Sequence, residues 1–183
     1  MPGMSGARRE ALLEALDAYR AGALHDEEPI SRFRTFLERA DPFRRGDPDG
    51  HVTASAVVAH TSADRFLLVF HRKLDRWLQP GGHLEDGDPS VFDAALREAR
   101  EETGLSDFSA PIGSAILDLD VHAIPAFDAD PPHFHYDVRF LLTTGDGGKL
   151  ADGAAWFPLA AVEPADSDGS LTRAVGKARA RLL

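Results

Sequence analysis

The sequence predicts a layered α/β domain built on a mixed β-sheet, with a helical extension at its N-terminus. Strand-length apolar segments stand before and after one helix whose two ends are both marked by capping residues. A second helical pattern ends the chain, and a turn-rich link separates the strands from a helical start. The length of 183 residues suits one such domain with an added arm.

The N-terminal part is predicted to be helical over residues 5–40. Ser5 is a plausible N-cap for a first helix, in which leucines recur at helical spacing. A second helix is expected to begin at Ser31 and to end at Asp41-Pro42, because a proline disfavours helix in the residue before it. Glycine, proline and aspartate then form a link, so we divide the chain into a helical arm, 1–46, and a main domain, 47–183.

The main domain is predicted to place a helix between two groups of strands. The helix runs over 89–103, with Asp88 as N-cap, Pro89 in its first turn and Gly104 at its C-terminal end. A final helix over 170–183 has Ser170 as its expected N-cap. The expected strands, of which the first two form a hairpin, are 51–59, 66–70, 115–124, 136–143 and 155–157.

Charge and composition exclude several classes of function. The net charge of −10 argues against general binding to nucleic-acid backbone or to anionic lipid, since both need a basic face. The absence of cysteine excludes disulfides, zinc–thiolate sites, iron–sulfur clusters and a thiol nucleophile. No apolar run is long enough for a membrane span, and the N-terminus lacks the pattern of a signal peptide. We therefore expect a cytoplasmic protein without nucleic-acid or membrane partners.

Three glutamates gather on one side of the central helix. Glu98, Glu101 and Glu102 are neighbours at i, i+3 and i+4, where like charges repel. Arg97, four residues before Glu101, relieves part of this repulsion, and a hard divalent cation would relieve more because it prefers carboxylate oxygens. For such a pattern alone, a solvated charged helix face is the simpler interpretation.

The residues around these glutamates match the Nudix box. Arg97-Glu98, Glu101-Glu102 and Gly104-Leu105 have the spacing of its second half, and Gly82 begins its first half. The sequence therefore resembles the Nudix hydrolases, over about residues 52–162. This resemblance implies a Nudix-type α/β/α sandwich with a mixed sheet. It also implies hydrolysis of a diphosphate linkage, typically in a nucleoside diphosphate joined to another group.

The resemblance also implies roles for the box residues. Glu98, Glu101 and Glu102, with help from the Gly82 carbonyl, would hold Mg²⁺ or Mn²⁺, and Arg97 would orient these carboxylates. The glutamates and Arg97 are thus the predicted catalytic residues.

The box departs from the family at its first acid. Asp88 stands where the family has glutamate, and eight residues rather than seven separate it from Arg97. The extra residue falls at the helix start, where the loop can absorb it. Arg97 is expected to pair with Asp88, Glu85 or Asp86.

Weaker candidates lie outside the box. At strand spacing, His133, His135 and Asp137 point to one face, where they could bind a metal, contact the substrate or supply a general base. We assign His135 as a candidate catalytic base and His133 as a substrate contact, with a structural histidine–aspartate hydrogen bond as the alternative. Asp118 and Asp120 compete for the role of base.

A basic cluster follows the second strand. Arg72, Lys73 and Arg76 are candidates for contact with substrate phosphates, with a solvated strand end as the alternative. His83, within the glycine loop, is a further candidate for contact with the metal or a substrate phosphate, with a structural role in the loop as the alternative.

The expected partner is a small phosphorylated molecule, most plausibly a nucleotide derivative. A catalytically inactive module that binds such a ligand is the alternative function. The resemblance also points to isomerases of isoprenoid diphosphates, but that branch of the fold uses a catalytic cysteine, which this chain lacks. The arm could cap the substrate pocket or form a homodimer contact, although packing against the sheet is the simplest expectation.

Overall fold

The computed structural model describes residues 4–20, 22, 25–126, 131–165 and 169–183. In these ranges a seven-stranded mixed sheet lies between helices, so the predicted fold class is confirmed. The helices are α1 (Met4–Arg20), α2 (Glu27–Leu37), α3 (Val91–Thr103), α4 (Leu159–Ala165) and α5 (Ser170–Leu182). The strands are β1 (Gly50–His60), β2 (Arg65–His71), β3 (Arg76–Leu78), β4 (Gly81–His83), β5 (Ile116–Ile124), β6 (His133–Thr144) and β7 (Ala154–Pro158). None of the described helices is long and apolar enough to cross a membrane.

Strand β1 is the centre of the sheet. The strand order is β3-β2-β1-β6-β5, with β4 paired to β1 and β7 paired to β2. Strands β1 and β6 run parallel, and the other pairs are antiparallel, including the predicted β1–β2 hairpin. On the side away from β6, β1 pairs with β4 near its start and with β2 near its end.

The two faces of β1 pack against different helices. Ala56 and Val58 share a core cluster with Ala99 of α3. Val57, one position away and therefore on the other face, packs with Leu171 of α5. This two-sided burial makes the α/β/α sandwich that the resemblance implied.

The N-terminal arm adds a helical layer on the α3 side. Leu16 of α1 and Phe33 of α2 are fully buried in a cluster that also contains residues of α3, β1 and β6. The ring of Phe36 stacks on Tyr136, with centroids 3.9 Å apart. The arm therefore packs against the sheet, as the simplest expectation had it, while the division at residue 46 stays a prediction.

Several predicted element starts were wrong. Helix α2 begins four residues before Ser31, and β6 begins three residues before residue 136, because packing extends both elements beyond their local sequence patterns. Ser5 lies inside α1 and donates to Asp41 instead of capping the helix. Ser170 lies in the first turn of α5 after Gly169, and its hydroxyl accepts a hydrogen bond from Arg139.

Helix α3 begins two residues later than predicted. Its N-cap is Ser90, whose hydroxyl accepts from the Asp93 amide at 3.1 Å. Asp88 does not cap the helix, because its carboxylate is buried and bonded to Arg97. The C-terminal end is as expected, with Gly104 in the left-handed conformation at φ 75°.

Candidate active site

A cavity of about 460 Å³ brings most of the predicted site residues together. It lies at the start of β1, where β1 pairs with β4 rather than with β2. Side chains of α3 and of the sheet both line it. His51, Thr53 and Ser55 of β1 line it, while Val57 on the same face is covered by α5. Of the chain's eight histidines, six line this cavity: His51, His71, His83, His122, His133 and His135.

Two of the three box glutamates line the cavity. The amide of Gly81 donates to Glu102 Oε2 at 3.0 Å, and Arg97 Nη1 donates to Glu98 Oε1 at 3.0 Å. Burial raises the pKa of both carboxyls above their usual values. Glu101 does not line the cavity; its side chain is 57% exposed and accepts from Arg97.

Arg97 connects the glutamates to the preceding loop. Its Nε and Nη2 each donate to one oxygen of Asp88 at 3.0 Å, and Nη2 also donates to the His83 carbonyl at 2.9 Å. Of the three acids left open by the sequence, Asp88 therefore makes the close pair. Glu85 is mostly exposed, with its carboxylate 4.0 Å from Arg97.

The Asp88 carboxylate is stabilised in its charged form. Burial works against the charge, but hydrogen bonds from Arg97 and from the Glu85 amide outweigh it and hold the pKa of Asp88 below its usual value. The hydrogen bonds that Arg97 donates to Asp88 and to Glu98 raise its own pKa.

The loop that carries Asp88 is anchored by the arm. The buried Arg8 of α1 donates to the backbone carbonyls of Glu85, Asp86 and Asp88. The arm thus contacts the site through the box loop.

Gly82 leaves room for the Glu98 carboxylate between β4 and α3. A Cβ at this position would lie 2.6 Å from Glu98 Oε1, far inside contact distance. A side chain there would displace the Glu98 carboxylate, which is a flexible end, and leave the backbone in place.

If the chain has the hydrolase activity that the box resemblance implies, replacing Gly82 by alanine is expected to reduce turnover at least about 10-fold, because Glu98 moves, while the melting temperature changes little. Gly87 in the same loop is the matched control, since nothing lies within 4 Å of a Cβ built there. Gly87→Ala should keep full activity. Equal turnover in the Gly82→Ala and Gly87→Ala variants would contradict this role for Gly82.

The strand register builds a group of histidines on one wall of the cavity. His51 of β1 and His122 of β5 are both register partners of His135 on β6. His133 lies two residues before His135, on the same face, with their Nε2 atoms 3.3 Å apart. The ring centroids of His51 and His83 are 4.8 Å apart.

Two of these histidines, His51 and His135, are held as neutral imidazoles. Burial, together with the neighbouring histidines, lowers the pKa of His51 to about 4 and that of His135 to about 2. His133 Nδ1 donates to the Pro131 carbonyl at 2.8 Å, which leaves its Nε2 as an acceptor. Neither ring nitrogen of His51 has a hydrogen-bond partner in the described ranges.

The remaining predicted residues divide into two groups. Lys73 lines the cavity, whereas Arg72 and Arg76 lie on the same hairpin without lining it. Asp137 also lines it and accepts hydrogen bonds from Ser55 and Arg139.

Asp118 and Asp120 are occupied elsewhere. Asp118 is fully buried and pairs with Arg139, Arg173 and Lys177. Asp120 pairs with Arg139 and Arg173, and its other contact is His122. Both aspartates tie β5 to β6 and α5, so they are poor candidates for a general base.

His51, His122, Thr53 and Ser55 were missed by the sequence analysis. The sequence does contain a pattern that could have identified the three β1 residues as site residues. Positions 51, 53 and 55 are polar within a strand whose alternate positions are apolar, which indicates a buried polar surface on one face. The pairing of His122 with His135 depends on the register of β5 and β6, and no local sequence pattern predicted it.

A sequence model of the NUDIX domain matches residues 49–175, which is more than half of the chain. This protein belongs to the Nudix family. The predicted family is thus confirmed, and the protein is a Nudix-type hydrolase. The match covers α3 and all seven strands, and it leaves α1 and α2 outside.

Two solved structures have folds similar to that of this Nudix protein. The Ap4A hydrolase of C. elegans is similar with a TM-score of 0.55 and 20% identity, over 72% of this chain and 98% of that one. The dihydroneopterin triphosphate pyrophosphohydrolase of E. coli has a TM-score of 0.53 and 16% identity, over 69% of this chain and 92% of that one. No curated protein matches this Nudix chain in sequence.

Proposed function

We propose that this Nudix protein hydrolyses a diphosphate linkage in a nucleoside diphosphate derivative, with Mg²⁺ or Mn²⁺ as cofactor. The observation that carries the proposal is a pair of partly buried carboxylates, Glu98 and Glu102, in the wall of one cavity. The cavity volume of about 460 Å³ lies in the usual range for small-molecule sites.

The donor set fits a hard divalent cation. Mg²⁺ is commonly bound by one or two carboxylates together with substrate phosphates, and Glu98 and Glu102 supply two. Burial raises the pKa of both carboxyls, and a bound cation would stabilise their charged forms. The absence of a side chain at Gly82 leaves Glu98 the space it needs. Glu101, on the exposed side of the same turn, would be the third ligand.

A bound cation would neutralise the diphosphate and acidify a water for attack on phosphorus. Arg97, fixed by Asp88, would hold Glu98 and Glu101 in place. Lys73 in the cavity wall would contact the phosphates, and Arg72 and Arg76 on the same hairpin would extend this basic surface. His83 would contact the rest of the substrate, whereas His133 has one ring nitrogen on the Pro131 carbonyl and the other beside His135.

A proton acceptor is needed for the attacking water, and a glutamate suits this role better than His135. Glu98 and Glu102 line the cavity, and a glutamate oxygen that the cation leaves free would accept the proton. The pKa of His135, about 2, makes it a weak base.

The function is tested by a substrate screen with Mg²⁺ and with Mn²⁺. Nucleotide sugars, dinucleoside polyphosphates, nucleoside triphosphates and NADH would be incubated with the protein, and phosphorus NMR would identify the bond that is cleaved. We expect hydrolysis of at least one class, dependent on the added metal and abolished by EDTA. Calorimetric binding of a ligand without any cleavage would instead support an inactive binding module.

A further inference from the structure

We propose that His51, His133 and His135 form a site for a transition metal ion, Zn²⁺ in the first instance, distinct from the glutamates. The three residues come from two adjacent strands, β1 and β6, whereas Glu98 and Glu102 come from α3. The inference does not rest on the proposed hydrolysis, since it concerns metal binding alone.

The spacing of the ring nitrogens fits such an ion. Two nitrogen ligands at about 2.0–2.1 Å from a tetrahedral Zn²⁺ are about 3.3–3.4 Å apart. The Nε2 atoms of His133 and His135 are 3.3 Å apart. A nitrogen of His51 lies within 4.8 Å of both, so a small rotation of one ring completes three ligands. Within the described ranges, no other three histidine, aspartate or glutamate side chains form such a group.

The hydrogen bonds also prepare the site. Since His133 Nδ1 donates to the Pro131 carbonyl, its Nε2 presents a lone pair toward His135. An outer hydrogen bond of this kind commonly fixes the tautomer of a metal-binding histidine. The 3.3 Å separation also fits an N–H···N bond donated by His135, and metal binding would require His135 to take its other neutral tautomer, with the proton on Nδ1 and the Nε2 lone pair on the ion.

His51 gives independent support. It is 2% exposed, and neither of its ring nitrogens has a partner in the part of the chain that the structure describes. A buried imidazole without hydrogen bonds costs free energy, so it needs a compensating role. A metal ion bound between β1 and β6 would provide one, because it takes up a lone pair of the ring.

The donor type separates this site from the glutamate site. Neutral imidazoles favour Zn²⁺ and related transition metals, whereas carboxylates favour Mg²⁺ and Mn²⁺. Three protein ligands leave a fourth position open toward the cavity. That position would take a water or a phosphate oxygen, and the ion would add two positive charges to a cavity in an acidic protein.

The test is direct metal binding by the full chain after treatment with EDTA. Zn²⁺ would be titrated in competition with a chromophoric chelator, and Co²⁺ would be added separately so that its visible spectrum reports the coordination geometry. We expect one equivalent of Zn²⁺ and a four-coordinate Co²⁺ spectrum. The same result is expected for a Glu98→Gln/Glu102→Gln double variant.

Histidine variants decide the location of the ion. His133→Ala and His135→Ala should each weaken Zn²⁺ binding at least about 100-fold and abolish the rise in melting temperature that Zn²⁺ causes. His51→Gln tests the buried ligand, and its fold would be checked by circular dichroism. If it fails to fold, the His133 and His135 variants decide alone.

His71 supplies the matched control. It lines the same cavity but is bonded to the Leu74 amide and stands outside the trio, so His71→Ala should bind Zn²⁺ like the wild type. Two results would overturn the proposal. One is equal Zn²⁺ affinity in the wild type and the His133 and His135 variants. The other is loss of binding only when the glutamates are replaced.

Discussion

Replacing Glu102 by glutamine is expected to lower kcat at least about 100-fold, and Glu98→Gln should act similarly. Each change removes one of the two carboxylates in the cavity wall, and a catalytic cation contributes several kcal/mol to the stabilisation of the transition state. Glutamine at 102 can still accept the hydrogen bond from Gly81, so the loop should stay in place. The measurement is steady-state hydrolysis of the best substrate of the screen at saturating Mg²⁺.

The Glu102→Gln substitution should not reduce the stability of the fold. Since burial raises the pKa of Glu102, its charge is disfavoured in the folded state, and glutamine should leave the free energy of unfolding unchanged or higher. Glu14→Gln, an exposed glutamate on α1, is the control and should keep full activity. Unchanged kcat in both the Glu98 and the Glu102 variants would remove the proposed metal site.

Replacing Asp88 by asparagine is expected to lower the free energy of unfolding by about 2–3 kcal/mol. The change breaks a two-bond ion pair whose aspartate is 7% exposed and leaves Arg97 without its main partner. This loss is smaller than that expected for a fully buried ion pair, because Arg97 is 21% exposed and retains its ion pair with Glu98. Urea denaturation at pH 7 would measure the loss.

Asp86→Asn is the matched control in the same loop. Its side chain is exposed, and its contact with Arg8 is made by the backbone carbonyl, so stability should not change. An equal loss in the Asp86 and Asp88 variants would contradict a specific role for the Asp88–Arg97 pair.

The difference between wild type and Asp88→Asn should depend on pH. The pKa of Asp88 is lower in the folded than in the unfolded state, so its contribution is fully present above the unfolded value, about 3.9. It is lost as the pH falls through the folded value. The gap in stability should therefore be constant near neutral pH and shrink below about pH 4; a constant gap down to acid unfolding would contradict the assignment.

Helix α3 shows what local patterns can predict. Gly104 marked its C-terminal end correctly, because a left-handed residue after a helix is a local requirement. Asp88 was a wrong N-cap, although its residue type is suitable. Local rules for helix capping do not take account of Arg97, which comes nine residues later and donates hydrogen bonds to both carboxylate oxygens of Asp88.

The glutamates show the same division between local and tertiary information. Helical periodicity placed Glu98, Glu101 and Glu102 on one side of α3. Only the docking of α3 against β4 decides that Glu98 and Glu102 enter the cavity while Glu101 faces solvent.

The amino-acid sequence by itself determined the family and the helix that carries the box, because both depend on residues near one another in the chain, and the sandwich fold followed from the resemblance to that family. The tertiary structure alone decided that His51 stands beside His135 and that Glu98 and Glu102 share their cavity. Strand pairing brings together residues from distant segments, and its register follows from the packing of the whole sheet. No local pattern contains that information.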